Sequence, residues 1–154
     1  MKQIEVVEKL SKRYPSISLM PGDTYYWSPQ DKTVYYHDEN QSVEGIWALL
    51  HETGHALLEH EQYHTDIGLL KMEMQAWERA KDIIKQLDVT VAIDEDHVQD
   101  CLDSYRDWLH KRSLCPDCHL SGIQVSDTAY TCVFCYKKWH VSADRFCRPY
   151  RKSL

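Results

Sequence analysis

Residues 51–60 read HETGHALLEH, and His64 follows, so four histidines and three carboxylates fall within fourteen residues. Imidazole nitrogens and carboxylate oxygens are zinc ligands, and a zinc site that does chemistry takes three protein ligands and keeps one position open. His51 and His55 are spaced i, i+4. On a helix that sets both rings on one face, one turn apart, where they can share an ion. Glu52 lies beside His51 and can lean over the open position to take a proton from water. Zinc lowers the pKa of a bound water to about 7, so a nucleophile for a carbonyl is available at neutral pH. The five letters HETGH can also arise by chance on an amphipathic helix. Here Trp47, Ala48, Leu49 and Leu50 precede them and Ala56, Leu57 and Leu58 follow. Polar groups inside so apolar a helix need a partner, because an unpaired buried polar group is costly. A metal ion would supply it. Gly54 lets another backbone or a substrate come close.

The third ligand must come from elsewhere in the chain. The next helical segment offers Glu73 and Glu78. Leu69, Glu73, Ala76, Ala80, Ile83 and Leu87 form one stripe at helical spacing, in which only Glu73 is polar. Glu78 shares its face with Lys71, Lys81, Asp82 and Lys85, the pattern of a solvated face with ion pairs. A carboxylate on the apolar stripe needs a cation, so Glu73 is the expected ligand. His60, five residues past His55, is rotated off the ligand face and reads as a bystander. Tyr63 and His64 read as exposed connection residues, with a weaker reading as donors to an oxyanion.

A second set lies near the C-terminus. Cys115-Pro-Asp-Cys118 and Cys132-Val-Phe-Cys135 are two Cys-x-x-Cys pairs separated by thirteen residues. Each pair can form a knuckle whose backbone amides point at sulfur, and two knuckles make a closed four-thiolate zinc site. Between them Gly122 and the alternating Ile123 and Val125 suit the hairpin of a zinc ribbon. So small a segment needs metal to stay folded. Cys101 reads as a buried small hydrophobe on the apolar face beside Leu102. Cys147 and His119 are reserve ligands at most.

The elements that must position these groups follow from the pattern. Residues 2–14 suit a short helix with Ile4, Val7 and Leu10 on its apolar face, ended by Pro15. Ser16–Met20 suits a strand. Residues 24–28 (TYYWS) and 33–37 (TVYYH) suit a hairpin around Pro29-Gln30-Asp31-Lys32. A helix begins near Asn40 or Ser42, both good N-caps, and runs to about Glu59. Another covers about 66–87, and a third runs from the cap Asp94 to about Arg112, with Val98, Leu102, Tyr105 and Leu109 on one face.

The chain has 154 residues, 43% hydrophobic and 27% charged, which argues against wholesale disorder. Residues 1–110 hold 10 Lys and Arg against 21 Asp and Glu, whereas residues 111–154 hold 8 against 3. Five of six cysteines lie in the last forty residues. Two units are therefore expected: 1–112, carrying the histidine set, and 113–154, the four-cysteine ribbon. No apolar run approaches the ~20 residues that span a bilayer, and the charged N-terminal stretch lacks the apolar core of a signal peptide, so the expected location is the cytoplasm, with no membrane partner.

His51-Glu-Thr-Gly-His55, then Glu73-x-x-Ala76-x-x-x-Ala80 on the following helix, with a hairpin and a helix upstream, resembles the ImmA/IrrE-like metallopeptidases over roughly residues 1–90. The resemblance implies an α+β, zincin-like (gluzincin) fold: a small twisted sheet beside an active-site helix, with a glutamate from the next helix as third ligand. It implies His51, His55 and Glu73 as ligands of a catalytic zinc and Glu52 as general base. This chain has Gln75 where the family often has an acidic residue, Arg79 where it often has an aromatic, and no visible helix-turn-helix segment.

The expectation is a zinc metalloendopeptidase acting on a protein or peptide. It would hold two zinc ions, one catalytic and one on Cys115, Cys118, Cys132 and Cys135. In such a fold the substrate can lie as an added strand along the hairpin edge. A zincin with a C-terminal ribbon is also similar to SprT-like proteases, which act on DNA-associated proteins. The basic, aromatic segments YKKWH and RFCRPYRK leave nucleic acid open as a partner. A zinc-holding regulatory or binding module without turnover is the remaining alternative.

Overall fold

The structure is a computed structural model that describes residues 1–142 and 151–153. It is α+β. In chain order the elements are α1 (Gln3–Arg13), β1 (Ser18–Pro21), β2 (Tyr26–Ser28), β3 (Thr33–Tyr36), α2 (Val43–Leu57), α3 (Asp66–Gln86), α4 (Glu95–Ser113), β4 (Ile123–Ser126), β5 (Ala129–Thr131), β6 (Lys138–Val141) and β7 (Arg151–Ser153). The chain divides into two compact units. One comprises residues 1–61 and 72–98, and the other residues 62–71 and 99–154. Residues 62–71 and 99–112 thus cluster with the four-cysteine segment. No helix among the described residues is long and apolar enough to cross a membrane.

In the first unit, three strands form a mixed sheet in the order β1-β3-β2. β1 runs parallel to β3, and β2 pairs antiparallel with it through Tyr26↔Tyr35, Trp27↔Val34 and Ser28↔Thr33. The expected hairpin is therefore present. Its turn closes with Lys32 in the left-handed region (φ 53) and with Ser28 Oγ donating to Asp31. Strand β1 starts two residues later than the sequence pattern suggested, because its register is set by pairing with β3 rather than by Pro15. Both cap candidates of α2 are used. Ser42 Oγ accepts from Gly45 N–H, and Asn40 Oδ1 accepts from the Ser42 N–H and hydroxyl.

The core of this unit joins Val6 and Leu10 of α1, Val34 and Tyr36 of β3, Ile46, Leu49 and Leu50 of α2, and Ala80 and Ile83 of α3. Burying a leucine fully contributes roughly 1.5–3 kcal/mol, so Leu49 and Leu50 anchor α2 just ahead of the histidine pair. One expectation fails here. Ile4 is exposed, and α1 buries Gln3 and Val6 instead. Gln3 is held by its side-chain amide donating to His37 O and by Tyr25 Oη–H donating to its Oε1. With Gln3 so held, α1 turns Val6, Val7 and Leu10 to the core and leaves Ile4 outside.

In the second unit, β4-β5-β6-β7 form an antiparallel sheet. Its core is Tyr130 and Trp139, stacked 5.7 Å apart, with Cys115, Cys132 and Val141. Ile123 and Val125, on the expected hairpin, are more than half exposed. Trp139 fills the core of this unit. It lies so close to Gly122 that a Cβ there would sit 2.4 Å from its ring. A second cluster joins Leu69 of α3 to Trp108 and Leu109 of α4, with Tyr63 against it.

Candidate metal centres

Helix α2 presents His51 and His55 to the helix α3 that carries Glu73. All three are buried. The two imidazole Nε2 atoms stand 3.1 Å apart, and Glu73 reaches both, with Oε2 at 3.0 Å from His51 and Oε1 at 3.3 Å from His55. Atoms that ligate one zinc ion at about 2.0–2.1 Å in tetrahedral directions are separated by about 3.3 Å. The three side chains therefore have the donor spacing of a ligand set around one ion. Glu78 is exposed and paired with Lys81 at 2.9 Å, as its face suggested.

The approach of the two helices depends on Gly54. A Cβ built there would lie 2.4 Å from the Ala76 carbonyl oxygen, a backbone atom that cannot swing aside. Of the two reasons considered for this glycine, another backbone is the one found. Gly54→Ala must push α3 from α2. It is expected to cost about 1–3 kcal/mol by chemical denaturation and to weaken metal binding by the histidine–glutamate set. Unchanged stability would contradict the tight contact.

Glu52 completes the constellation. Its carboxylate and the two imidazoles offer ligand atoms within 4.8 Å of one another. Glu52 Oε2 accepts the backbone N–H of Trp27 at 3.0 Å, a donor on β2, one of the sheet's two edge strands. The two carboxylates sit in opposite regimes. Burial pushes the Glu52 carboxyl above its ordinary value, against the pull of His51, His55 and the Trp27 N–H. Burial pushes Glu73 up as well, but the bonds and charges of His51 and His55 outweigh it and hold the carboxyl down to about 2. Paired carboxylates driven apart in this way are suited to different tasks, one a fixed anion and one a proton carrier.

Several partners were not visible in the sequence. The His51 ring stacks on Trp77 with centroids 4.2 Å apart. Its Nδ1 is buried and has no hydrogen-bond partner among the described residues. His55 differs, because its Nδ1 lies 2.8 Å from Nδ1 of His60. His60, read as a bystander from helical spacing, thus joins the site. Comparison with family models, with curated proteins and with solved structures gives no match.

In the second unit, Cys115, Cys118, Cys132 and Cys135 bring their sulfurs within 4.8 Å of one another and could hold a metal ion. Cys115 Sγ and Cys135 Sγ are 3.6 Å apart. That is far from the ~2.05 Å of a disulfide and near the roughly 3.8 Å between thiolates sharing one tetrahedral zinc. The two pairs fold alike. His119 N–H donates to Cys115 O and Tyr136 N–H to Cys132 O, and both residues are left-handed, at φ 59 and φ 61. His119 is an exposed turn residue, outside the sulfur cluster. The backbone N–H of Cys135 bonds Cys132 Sγ and, with that of Phe134, draws its thiol down to about 7. Cys118, bonded to Cys135, half-buried and crowded by the other sulfurs, is pushed up to about 12. Four thiols so placed cannot all ionise without a cation among them. Cys101 is half-buried on α4. Cys147 and the basic run from Arg145 to Tyr150 lie outside the described residues.

His64 and Tyr63 also belong to the second unit. His64 Nδ1 is 2.9 Å from Asp127 Oδ2, and Tyr63 packs beside Leu69 and Trp108.

Proposed function

We propose that this chain is a zinc-dependent metalloendopeptidase of the gluzincin kind, related to the ImmA/IrrE-like enzymes its residues resemble. Its zincin-like part would span residues 1–112, and residues 113–154 would carry a second, structural zinc on the four cysteines. The convergence of His51 Nε2, His55 Nε2 and the Glu73 carboxylate, with Glu52 beside them, is the observation that carries the reading. Bound zinc supplies a Lewis acid that polarises a peptide carbonyl and acidifies water. The remaining work falls to the chain. His51, His55 and the anionic Glu73 hold the ion. Trp27 N–H fixes Glu52 through Oε2. Glu52 Oε1 takes the proton from the attacking water and returns it to the departing amine nitrogen as the C–N bond breaks. Strand β2 ends the sheet beside Glu52, which supports an extended substrate laid along that edge.

An undirected peptide library incubated with the zinc-loaded chain tests the reading. Products that vanish with a chelator and return with zinc are expected. A well-folded, zinc-loaded chain that yields no such products would leave a non-catalytic binding module.

One observation favours a refinement toward SprT-like proteases acting on nucleic-acid-associated proteins. Phe134 and Tyr136, in and just after the second knuckle, are 72% and 80% exposed and are followed by Lys137 and Lys138. Exposed rings beside lysines are platforms on which bases stack. Salt-dependent binding of single-stranded DNA by the full chain, lost in Phe134→Ala, would support it. No binding at low salt would count against it.

A further inference from the structure

We infer that His60 is a positioning residue that orients His55 and fixes which of its ring nitrogens carries the proton. The inference rests on the reading of His51, His55 and Glu73 as a metal set, and it concerns how that set is held.

Helix α2, continued to residue 60, would point His60 away from His55. The chain instead reverses. Glu59 N–H donates to Ala56 O, and His60 N–H donates to His55 O. These are the two bonds of a Schellman turn, which needs a left-handed residue at its corner. Glu59 occupies that corner at φ 54, although glycine is the usual choice. Trp27 secures the reversal by donating its indole N–H to His60 O at 2.8 Å. The same Trp27 holds Glu52 through its backbone N–H. The turn brings His60 back over the last turn of α2, with its Nδ1 at 2.8 Å from Nδ1 of His55.

The proton assignments follow from one requirement. A histidine that gives its Nε2 lone pair to a metal carries its proton on Nδ1. His55 Nε2 faces His51 and Glu73, so His55 Nδ1–H is the donor and His60 Nδ1 the acceptor. His60 then holds its proton on Nε2, where Gln75 Oε1 lies 3.2 Å away and accepts it. Every bond runs in the same direction, from His55 to His60 to Gln75. Gln75 sits on α3 two residues from Glu73, so the relay ties the turn after α2 to the helix that brings the carboxylate. Outer partners of this kind orient a ligand ring, and their loss costs about 10–100-fold in metal affinity. His51 is held differently, by its stack on Trp77.

The experiment measures zinc affinity by competition with a chromophoric chelator, on wild type, His60→Ala and His60→Asn. The histidine-set zinc is the release step that disappears in Glu73→Ala. His60→Ala should weaken that step by about 10–100-fold and leave the cysteine-set step unmoved. His60→Asn should recover most of the loss, because asparagine Oδ1 can stand where His60 Nδ1 stands and still accept. Long-range proton–nitrogen NMR of the zinc-loaded wild type should show His55 protonated at Nδ1 and His60 at Nε2. This measurement needs no variant to fold. The outcomes separate. A folded wild type with no histidine-set zinc defeats the metal reading itself. A wild type that holds this zinc, with equal affinity in His60→Ala or with His60 protonated at Nδ1, overturns the role of His60 alone.

Discussion

Glu52→Gln is expected to keep both zinc ions and to lose peptide cleavage by about two to four orders of magnitude, the usual contribution of a positioned proton carrier. The substitution preserves shape. Its side-chain oxygen can still accept from Trp27 N–H, so the end of the side chain stays where Glu52 Oε2 now sits. What it removes is the ability to take a proton at the other oxygen. Glu52 does not bridge the histidines as Glu73 does, so zinc content should not fall. The measurement pairs kcat/KM on a peptide drawn from the library screen with zinc analysis of the same sample. Cleavage retained at wild-type rate would reject the mechanism. Cleavage lost together with zinc would mean that Glu52 acts as a ligand.

Asp66→Ala is expected to destabilise the second unit by about 3 kcal/mol, toward the lower end for a broken buried ion pair. Arg112 is fully buried. It donates from Nη2 to Asp66 Oδ1 at 2.7 Å and from Nη1 to Ser142 O at 2.6 Å, and it lies 4.4 Å over the Trp108 ring. Tyr130 Oη–H also donates to Asp66. Among the described residues, removing the carboxylate would leave the buried cation with the Ser142 carbonyl and the side chains of Trp108 and Tyr130, none of them an anion. The carbonyl and the rings keep the loss from reaching ~5 kcal/mol. Adding Arg112→Met should recover much of it, since an apolar side chain of similar length removes the uncompensated charge. Chemical denaturation of the three chains measures both steps. A single-variant loss below about 1 kcal/mol, or a double variant worse than the single, would contradict the account.

Much of the candidate site could be read from residue spacing, and the reasons are local. His51 and His55 share a face because i, i+4 is a helical repeat, and Glu73 stood out as the one polar residue on an apolar stripe. The stripe is indeed buried, from Leu69 through Ile83, while Glu78 is solvated. The Cys-x-x-Cys pairs converge because each knuckle closes within five residues. What escaped the sequence depends on distant partners. Trp27 reaches Glu52 and His60 from a strand more than twenty residues away. Helical spacing misses His60 because the Schellman corner falls on Glu59, and no glycine announces it. The rotation of α1 hangs on Gln3, whose partners lie on the hairpin and just beyond β3. Likewise the Asp66–Arg112–Tyr130 cluster joins the start of α3, the end of α4 and strand β5, a grouping with no periodic signature.

One ion on His51, His55 and Glu73 and a second on the four cysteines make up the proposed metal content. Elemental analysis after equilibration with a competing chelator counts both directly. The account predicts two zinc ions per wild-type chain, one in Glu73→Ala and one in Cys132→Ser. A single zinc in folded wild type, or two retained in Glu73→Ala, would contradict it.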